Sequence, residues 1–427
     1  MKCGEEFKAR GLFAQVSDPS LETLLSAGGL SAYVGFDPTC PTLQVGNLLP
    51  IAVAMRLQRA GHRVIVLVGG ATGAIGDPSG KTQERQLLSP DEIAANAAAI
   101  RKQLERFLDF GKNGATLVNN ADWFDHFGFV AFLRDVGKHF TVNWMLAKES
   151  VRARLEDREQ GISYTEFSYM LMQAFDFLWL YEHERCNVQF GGDDQWGNIT
   201  AGIELIRRKA RGKAYGFTLP LLTTRDGQKF GKTEKGNLWL DGERTSPYEF
   251  YQFFLNVNDD DVAPLLRYLT FLPPDRIIDL LAEHSQDPGK RLAQRTLASE
   301  VTTLVHGKEE TAKAEQASTA LFIGQKGEPL GALKLLSAGQ GAPAFNFPRA
   351  MIDGDGVALT HLLARCDVAL SPSLSGARRD IEGGGIYVNE RRISDPSYRL
   401  SDKDLVDGRV ALLRKGKKTY RILLFDS

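Results

Sequence analysis

Cysteine is scarce in this chain: Cys3, Cys40, Cys186 and Cys366 are the four among 427 residues, and none forms a C-x-x-C pair. That spacing indicates neither a disulfide framework nor a zinc site. No hydrophobic run approaches membrane-spanning length, and the first residues mix acids with bases without the apolar core of a secretion signal. The expectation is a soluble, cytoplasmic protein that does not engage a membrane. A surplus of charge of either sign is missing as well. Lys and Arg total 52 against 53 Asp and Glu, a net charge of −1. That balance excludes wholesale coating of nucleic acid and confines any such contact to a local basic patch. The sequence also lacks internal repeats and low-complexity tracts.

At this length the chain exceeds one ordinary core, so two or three domains are expected. Up to residue 245, short apolar runs alternate with helical stretches: strands over 32–36, 63–68, 117–119 and 188–191, helices over 48–60 and 166–181. Strand, helix, strand at this spacing requires right-handed crossovers and a parallel sheet, whose ligands bind beyond the carboxyl ends of the strands. Ser246-Pro-Tyr-Glu249 is a capping box with proline at the first helical position, and helices broken by Pro and Asp follow to 325. A stretch rich in Gly, Ala and Pro over 337–348 reads as linker. Residues 350–427 read as a small α+β module, with helices near 359–365 and 373–382 and short strands after Gly383-Gly-Gly385.

Two segments carry chemistry. Lys229-Phe-Gly-Lys-Thr233 sets two lysines three residues apart on a glycine-containing loop, which suits neutralisation of a polyphosphate as its charge shifts. Pro38-Thr-Cys-Pro-Thr-Leu-Gln-Val-Gly-Asn47 follows a strand and runs into an apolar helix, whose N-terminus presents backbone N–H groups to an anion. Together in one α/β chain they point to an enzyme that works on a nucleotide. The helix 166–181 is apolar almost all round and should be buried. Yet Tyr169, Gln173 and Asp176 fall at i, i+4 and i+7, within roughly a 60° arc. Buried polar groups need partners. Either this stripe is a satisfied core network, or it lines a pocket for a small polar ligand that Phe175, Phe177 and Tyr33 would make aromatic. Asp77 follows the strand 63–68 in a glycine-rich turn, and Lys81 and Arg85 come next on a loop within reach of phosphates. In Gly192-Asp-Asp-Gln195, glycine lets the backbone approach a ligand and a carboxylate suits ribose hydroxyls.

The strings Tyr33-Val-Gly-Phe-Asp-Pro-Thr39, Gly69-Gly-Ala-Thr-Gly-Ala-Ile-Gly-Asp-Pro78, Thr165-Glu-Phe-Ser-Tyr169 through Gln173 and Asp176, Gly191-Gly-Asp-Asp-Gln-Trp-Gly-Asn198 and Lys229-Phe-Gly-Lys-Thr233 resemble the bacterial-type tyrosyl-tRNA synthetases. The resemblance runs in order over nearly the whole chain. It implies a class I α/β fold: a Rossmann-like parallel-sheet catalytic domain over 1–245, an α-helical anticodon-stem domain over 246–330, a linker over 331–349 and a ribosomal-protein-like RNA-binding module over 350–427. It implies a tyrosine–tRNA ligase. L-tyrosine and ATP, with Mg²⁺ as counter-ion, would give tyrosyl-adenylate and pyrophosphate, and the tyrosyl group would pass to the 3′-terminal adenosine of tRNA(Tyr). A homodimer is implied too, with no protein-bound metal or organic cofactor.

By the same resemblance, Tyr33 and Asp176 would hydrogen-bond the phenol. Asp77, Tyr169 and Gln173 would hold the ammonium group, with Gln195 by the carboxylate. Asp37, Gly192 and Asp194 would contact adenosine, with Thr39, Gln44, Gly46 and Asn47 near the phosphates. Lys81, Arg85, Lys229, Lys232 and Thr233 would wrap the departing pyrophosphate. A substrate carboxylate is already a nucleophile, so positioning and cations are enough and no general base is required. The chain departs from the family pattern at two places. Gln44-Val-Gly-Asn47 stands where the signature usually begins with His. A neutral donor there is expected to lose about 1–2 kcal/mol of transition-state binding and slow the first step. Asp193 stands where a small residue is usual; it is read as facing solvent, in preference to crowding the nucleotide. Arg378-Arg379, Gly383-Gly-Gly385, Tyr387-Val-Asn389, Arg391-Arg392 and Arg414-Lys-Gly-Lys-Lys418 resemble the RNA-binding module of a small-subunit ribosomal protein, which implies salt-dependent tRNA binding. The alternative is a non-catalytic RNA-binding protein on a synthetase scaffold, with Gln44 the first sign of decay. A tryptophan-specific relative is disfavoured, because an indole only donates and would leave Tyr33 or Asp176 unsatisfied.

Overall fold

The structure is a computed structural model that describes residues 1–77, 79, 88–111, 114–148, 151–152, 155, 161–225, 227, 230–233, 236–324, 344–389, 391–416 and 419–426. Its packing divides the chain into two compact units, Met1–Asp241 with Asn258–Lys290, and Gly242–Val257 with Arg291–Ser427.

The first unit is built on six strands: β1 (Gln15–Val16), β2 (Ser31–Phe36), β3 (Arg63–Val68), β4 (Thr116–Asn119), β5 (Val188–Gly192) and β6 (Tyr215–Leu219). Their order across the sheet is β1-β6-β5-β2-β3-β4, parallel except for β1, which runs antiparallel to β6. From β2 the chain steps to β3 on one side, while β5 enters on the other. The strand order reverses at β2, and the crevice of a parallel sheet opens beyond the carboxyl ends at such a point. β3 is apolar at five successive buried positions, as a strand covered on both faces must be. A second, two-stranded ladder joins β7 (Lys232–Thr233) to β8 (Gly236–Asn237).

Local signals set the helices that flank the crevice. Helix Pro90–Leu104 starts on Ser89, whose Oγ accepts from the Glu92 backbone N–H at 3.3 Å while the Glu92 carboxylate accepts from Ser89 N–H at 2.8 Å. Helix Tyr164–Glu184 starts on Ser163, whose Oγ accepts from Glu166 N–H at 3.2 Å. Helices Asp259–Leu269 and Pro274–Gln286 belong to this first unit. They are tied in by two buried arginines: Arg10 donates to the carbonyls of Arg267, Thr270 and Leu272, and Arg56 to those of Tyr268 and Thr270. Glu6 pairs with both guanidinium groups, at 2.6 Å to Arg10 Nε and 3.5 Å to Arg56 Nε.

In the second unit, helices Pro247–Leu255, Leu292–His306 and Lys308–Gly324 pack on one another. The first begins as its capping box dictates, with Glu249 N–H donating to Ser246 Oγ at 3.2 Å. The remaining strands are β9 (Ala344–Pro348), β10 (Val357–Ala358), β11 (Ile386–Val388), β12 (Arg391–Ile393), β13 (Arg399–Leu400), β14 (Val410–Lys415) and β15 (Thr419–Asp426). Five form a sheet in the order β12-β11-β14-β15-β9, against which helices Leu359–Ala364 and Leu374–Glu382 build a common core. β9 lies inside the stretch read as linker. Phe345 and Phe347 alternate with Asn346, so one face buries Phe347 in that core, and this alternation outweighs the Pro and Ala signals around it. Among the described residues no helix is long and apolar enough to cross a membrane.

Candidate active site

A cavity of about 730 Å³ opens beyond the carboxyl ends of β2, β3 and β5. Tyr33, Asp37, Thr39, Gln44, Gly46, Asn47, Asp77, Tyr169, Gln173, Asp176, Gly192, Asp194 and Gln195 all line it. The sequence motifs thus converge on one place. Lys81, Arg85 and Lys229 lie outside the described residues, as does the side chain of Thr233. Lys232 is exposed on β7 and does not line the cavity.

One end of the cavity is polar in an otherwise apolar core. Asp176, wholly buried, accepts from Trp123 Nε1 at 2.9 Å and from Asn120 Nδ2 at 3.1 Å. Burial pushes its carboxyl up to about 7, against the opposing pull of those two hydrogen bonds. Tyr33, at the middle of β2, packs its ring 5.3 Å from Phe177, and its buried hydroxyl has no hydrogen-bond partner. Burial, with Asp176 adding to it, holds the Tyr33 phenol well above its usual range and therefore neutral. Phe177 is the core support of this end. Phe175, expected beside a ligand, does not line the cavity; its ring packs at a tilt, 4.8 Å from Phe127 and 5.5 Å from Phe124. A helix apolar all round gives no sign of which face meets the pocket.

The middle of the cavity is a hydrogen-bonded chain. Asp37 accepts from the Tyr169 hydroxyl and from Thr72 Oγ1, both at 2.8 Å. Thr72 in turn accepts from Asn120 Nδ2 at 2.9 Å. Asp77 accepts from Gln195 Nε2 at 2.6 Å and from Ser79 N–H at 2.9 Å. Asn198 Nδ2 donates to Gln173 Oε1 at 3.0 Å. Thr72, Asn120, Trp123 and Asn198 carry no role in the sequence reading. Asn120 was findable, because it directly follows β4 at the carboxyl edge; nothing local marks Trp123.

At the other end, the two segments singled out separately in the sequence are joined by backbone. Val45 N–H donates to the Leu238 carbonyl and Leu240 N–H to that of Leu43, each at 2.9 Å, and Leu238 N–H donates to the Gly231 carbonyl at 2.8 Å. Gly231 is required here: its φ is +87°, and a Cβ would stand 2.0 Å from Val45 Cγ1. Asn47 Oδ1 accepts from Gln44 N–H at 3.0 Å and closes the turn that starts helix Leu48–Arg59.

Asp193 corrects the sequence reading. Its Oδ1 accepts from Gln15 Nε2 at 2.8 Å and Thr218 Oγ1 at 2.6 Å, so the half-buried carboxylate is turned to β1 and β6 and is not simply solvated. Gln15, too distant in sequence to be considered, supplies that partner. In the second unit, Arg378 and Arg379 are exposed on their helix, whereas Arg414 is buried 3.6 Å above the Tyr387 ring. Arg392 Nε donates to the Gly384 carbonyl at 2.8 Å, and Arg391 pairs with Asp404 at 3.1 Å. Lys417 and Lys418 lie outside the described residues.

This cleft lies at the switch point of the parallel sheet in the fold of a class I aminoacyl-tRNA synthetase. Residues 26–323 match the family "tRNA synthetases class I (W and Y)", and residues 340–423 the "Tyrosine--tRNA ligase SYY-like C-terminal domain". The chain belongs to this family, on its tyrosine branch. A tyrosine–tRNA ligase of Roseiflexus castenholzii is 51% identical over 98% of both chains, and one of Geobacillus stearothermophilus is 49% identical over 98% of this chain and 99% of its own. The structure of a C-terminally truncated mitochondrial tyrosyl-tRNA synthetase of Aspergillus nidulans is similar with a TM-score of 0.68 at 33% identity, covering 75% of this chain and 94% of that one.

Proposed function

We infer that this chain is a tyrosine–tRNA ligase that activates L-tyrosine with ATP and then transfers it to the 3′-terminal adenosine of tRNA(Tyr). The observation that carries the choice of amino acid is the buried pair at the cavity's polar end. The Tyr33 hydroxyl donates to a phenol oxygen, and the Asp176 carboxylate accepts the phenol proton. Phenylalanine leaves the buried Tyr33 hydroxyl unpaired and offers Asp176 no proton beyond those of Asn120 and Trp123. Asp77, Tyr169 and Gln173 hold the ammonium group, and Gln195 orients the carboxylate. That carboxylate attacks the α-phosphorus, the bond to the bridging oxygen breaks, and pyrophosphate leaves with the electron pair. Thr39, Gln44, Gly46 and Asn47 meet the phosphates, and Lys81, Arg85, Lys229, Lys232 and Thr233 neutralise the leaving group. Mg²⁺ arrives as part of the ATP substrate. Asp37, Gly192 and Asp194 contact adenosine.

The catalytic domain takes 1–245 and the RNA-binding module 350–427; the anticodon-stem role falls to helices of 246–330, of which residues 258–290 belong to the first compact unit and 246–257 with 291–324 to the second. The enzyme works in the cytoplasm as a homodimer. Support for a second copy comes from large apolar side chains left exposed between residues 129 and 164: Phe129, Val130, Val142 and Tyr164 are each at least 60% exposed. Pyrophosphate–ATP exchange with Mg²⁺, offering tyrosine, phenylalanine and tryptophan without tRNA, tests the activity. Exchange with tyrosine alone is expected. Exchange with tryptophan, or none at all from folded protein, would overturn the assignment.

A further inference from the structure

Helix Pro90–Leu104 carries two amide side chains seven residues apart, Asn96 and Gln103, which places both on one face. Asn96 Nδ2 donates to the Pro38 carbonyl at 3.0 Å. Gln103 works in both directions: its Oε1 accepts from the Leu43 backbone N–H at 2.9 Å, and its Nε2 donates to Thr42 Oγ1 at 2.8 Å. Thr42, Leu43 and Gln103 are all buried, so these groups depend on one another for satisfaction. The three bonds grip the two ends of the irregular stretch 38–43, which has no helical or strand pairing of its own before Leu43, whose carbonyl accepts from Leu240 N–H. Neither amide lines the cavity, whereas Thr39 within that stretch and Gln44 just beyond it do. An amide also supplies donor and acceptor without charge, which suits a support behind a site that receives a polyphosphate.

We propose that Asn96 and Gln103 are positioning residues for adenylate formation: together they clamp residues 38–43 and so hold Thr39 and Gln44 where the ATP phosphates must be met. The proposal rests on the reading of Thr39 and Gln44 as phosphate ligands. Displacing a binding group by a fraction of an ångström is felt in the transition state more than in the binding of a substrate that does not touch it.

The test uses the full chain with Gln103→Leu, Asn96→Ala and Asn96→Asp, and with Thr39→Ala and Gln44→Ala as controls. Pyrophosphate–ATP exchange is measured over ATP concentration, and tyrosine binding is measured alone by equilibrium dialysis. Gln103→Leu is expected to lower kcat/KM for ATP about tenfold while the tyrosine Kd stays within about twofold. Asn96→Asp sets a carboxylate oxygen against the Pro38 carbonyl and should lose more than Asn96→Ala. Loss in the two controls without loss in the Gln103 and Asn96 variants overturns the clamp. Loss in none of the five overturns the phosphate reading, and the clamp with it. Parallel weakening of tyrosine binding and exchange, tracking a lower Tm, reduces both amides to structural support and also overturns the proposal. If Gln103→Leu does not fold, the half-buried Asn96 pair decides.

Discussion

Asp176 is buried and accepts from two neutral donors, Asn120 and Trp123, and burial pushes its carboxyl up to about 7. An Asp in the unfolded chain titrates near 4, so between those values the folded chain holds the extra proton. The contribution of this group to stability is fully present below the unfolded pKa and is lost as pH rises through the folded one. Urea midpoints measured on either side of that window should differ less in Asp176→Asn than in the native protein. The phenol of tyrosine donates to the ionised form, so tyrosine should bind about tenfold more weakly at pH 6 than at pH 8, with no such step for phenylalanine. Calorimetric titration at the two pH values checks this. At Gln44 the expectation is a gain: Gln44→His should speed adenylate formation by about tenfold through a charged donor at the phosphates. A single-turnover rate no faster than the native one would contradict it. The three residues of the polar stripe were legible because helical spacing is local information. Their partners Asn120 and Trp123 come from the far side of β4, where no periodicity in the sequence points back to residue 176.

At the scale of elements, the parallel core β2, β3, β4, β5 was readable from its apolar runs and turn residues, and the capped helices from their Ser, Pro and Glu signals. β1, with two residues, and β6, with glycine and threonine in a run of five, offered too little pattern. Their pairing is a tertiary outcome. The link between the 44–47 turn and the β7–β8 loop was equally hidden, since backbone hydrogen bonds leave no mark on side-chain identity. It makes a prediction at Gly231. Gly231→Ala should lower adenylate formation at least about tenfold and lower Tm as well, and adding Val45→Ala should restore part of both by removing the Cγ1 in the way. Elsewhere, the tie between helices 3–10, 48–59 and 259–269 depends on Glu6 standing between Arg10 and Arg56. Glu6→Ala leaves two buried guanidinium groups facing each other and should destabilise by about 3 kcal/mol, measured by urea unfolding.

For the whole molecule, the net charge of −1 leaves the basic groups to be judged by where they stand and not by their sum. Of the C-terminal cations the sequence singled out, Arg414 and Arg392 serve internal contacts, while Arg378 and Arg379 are left on the surface. Sequence alone ranks these arginines equally, because burial is decided by strands that meet only in the folded chain. Arg378→Glu with Arg379→Glu should reduce tRNA charging about tenfold and flatten its salt dependence, yet leave pyrophosphate exchange unchanged. Exchange and charging that fall together would place the arginines outside tRNA binding.

The ladder between residues 43–45 and 238–240 is made by main-chain groups. Side chains along it can drift without disturbing its register, because the bonds that set it are main-chain ones. The same property bears on inhibition. A strand-mimicking compound that competes for these amides and carbonyls would contact atoms that point substitutions do not alter. Escape would have to come through proline or through backbone rearrangement, and resistance should therefore arise less readily than against a compound that reads side chains.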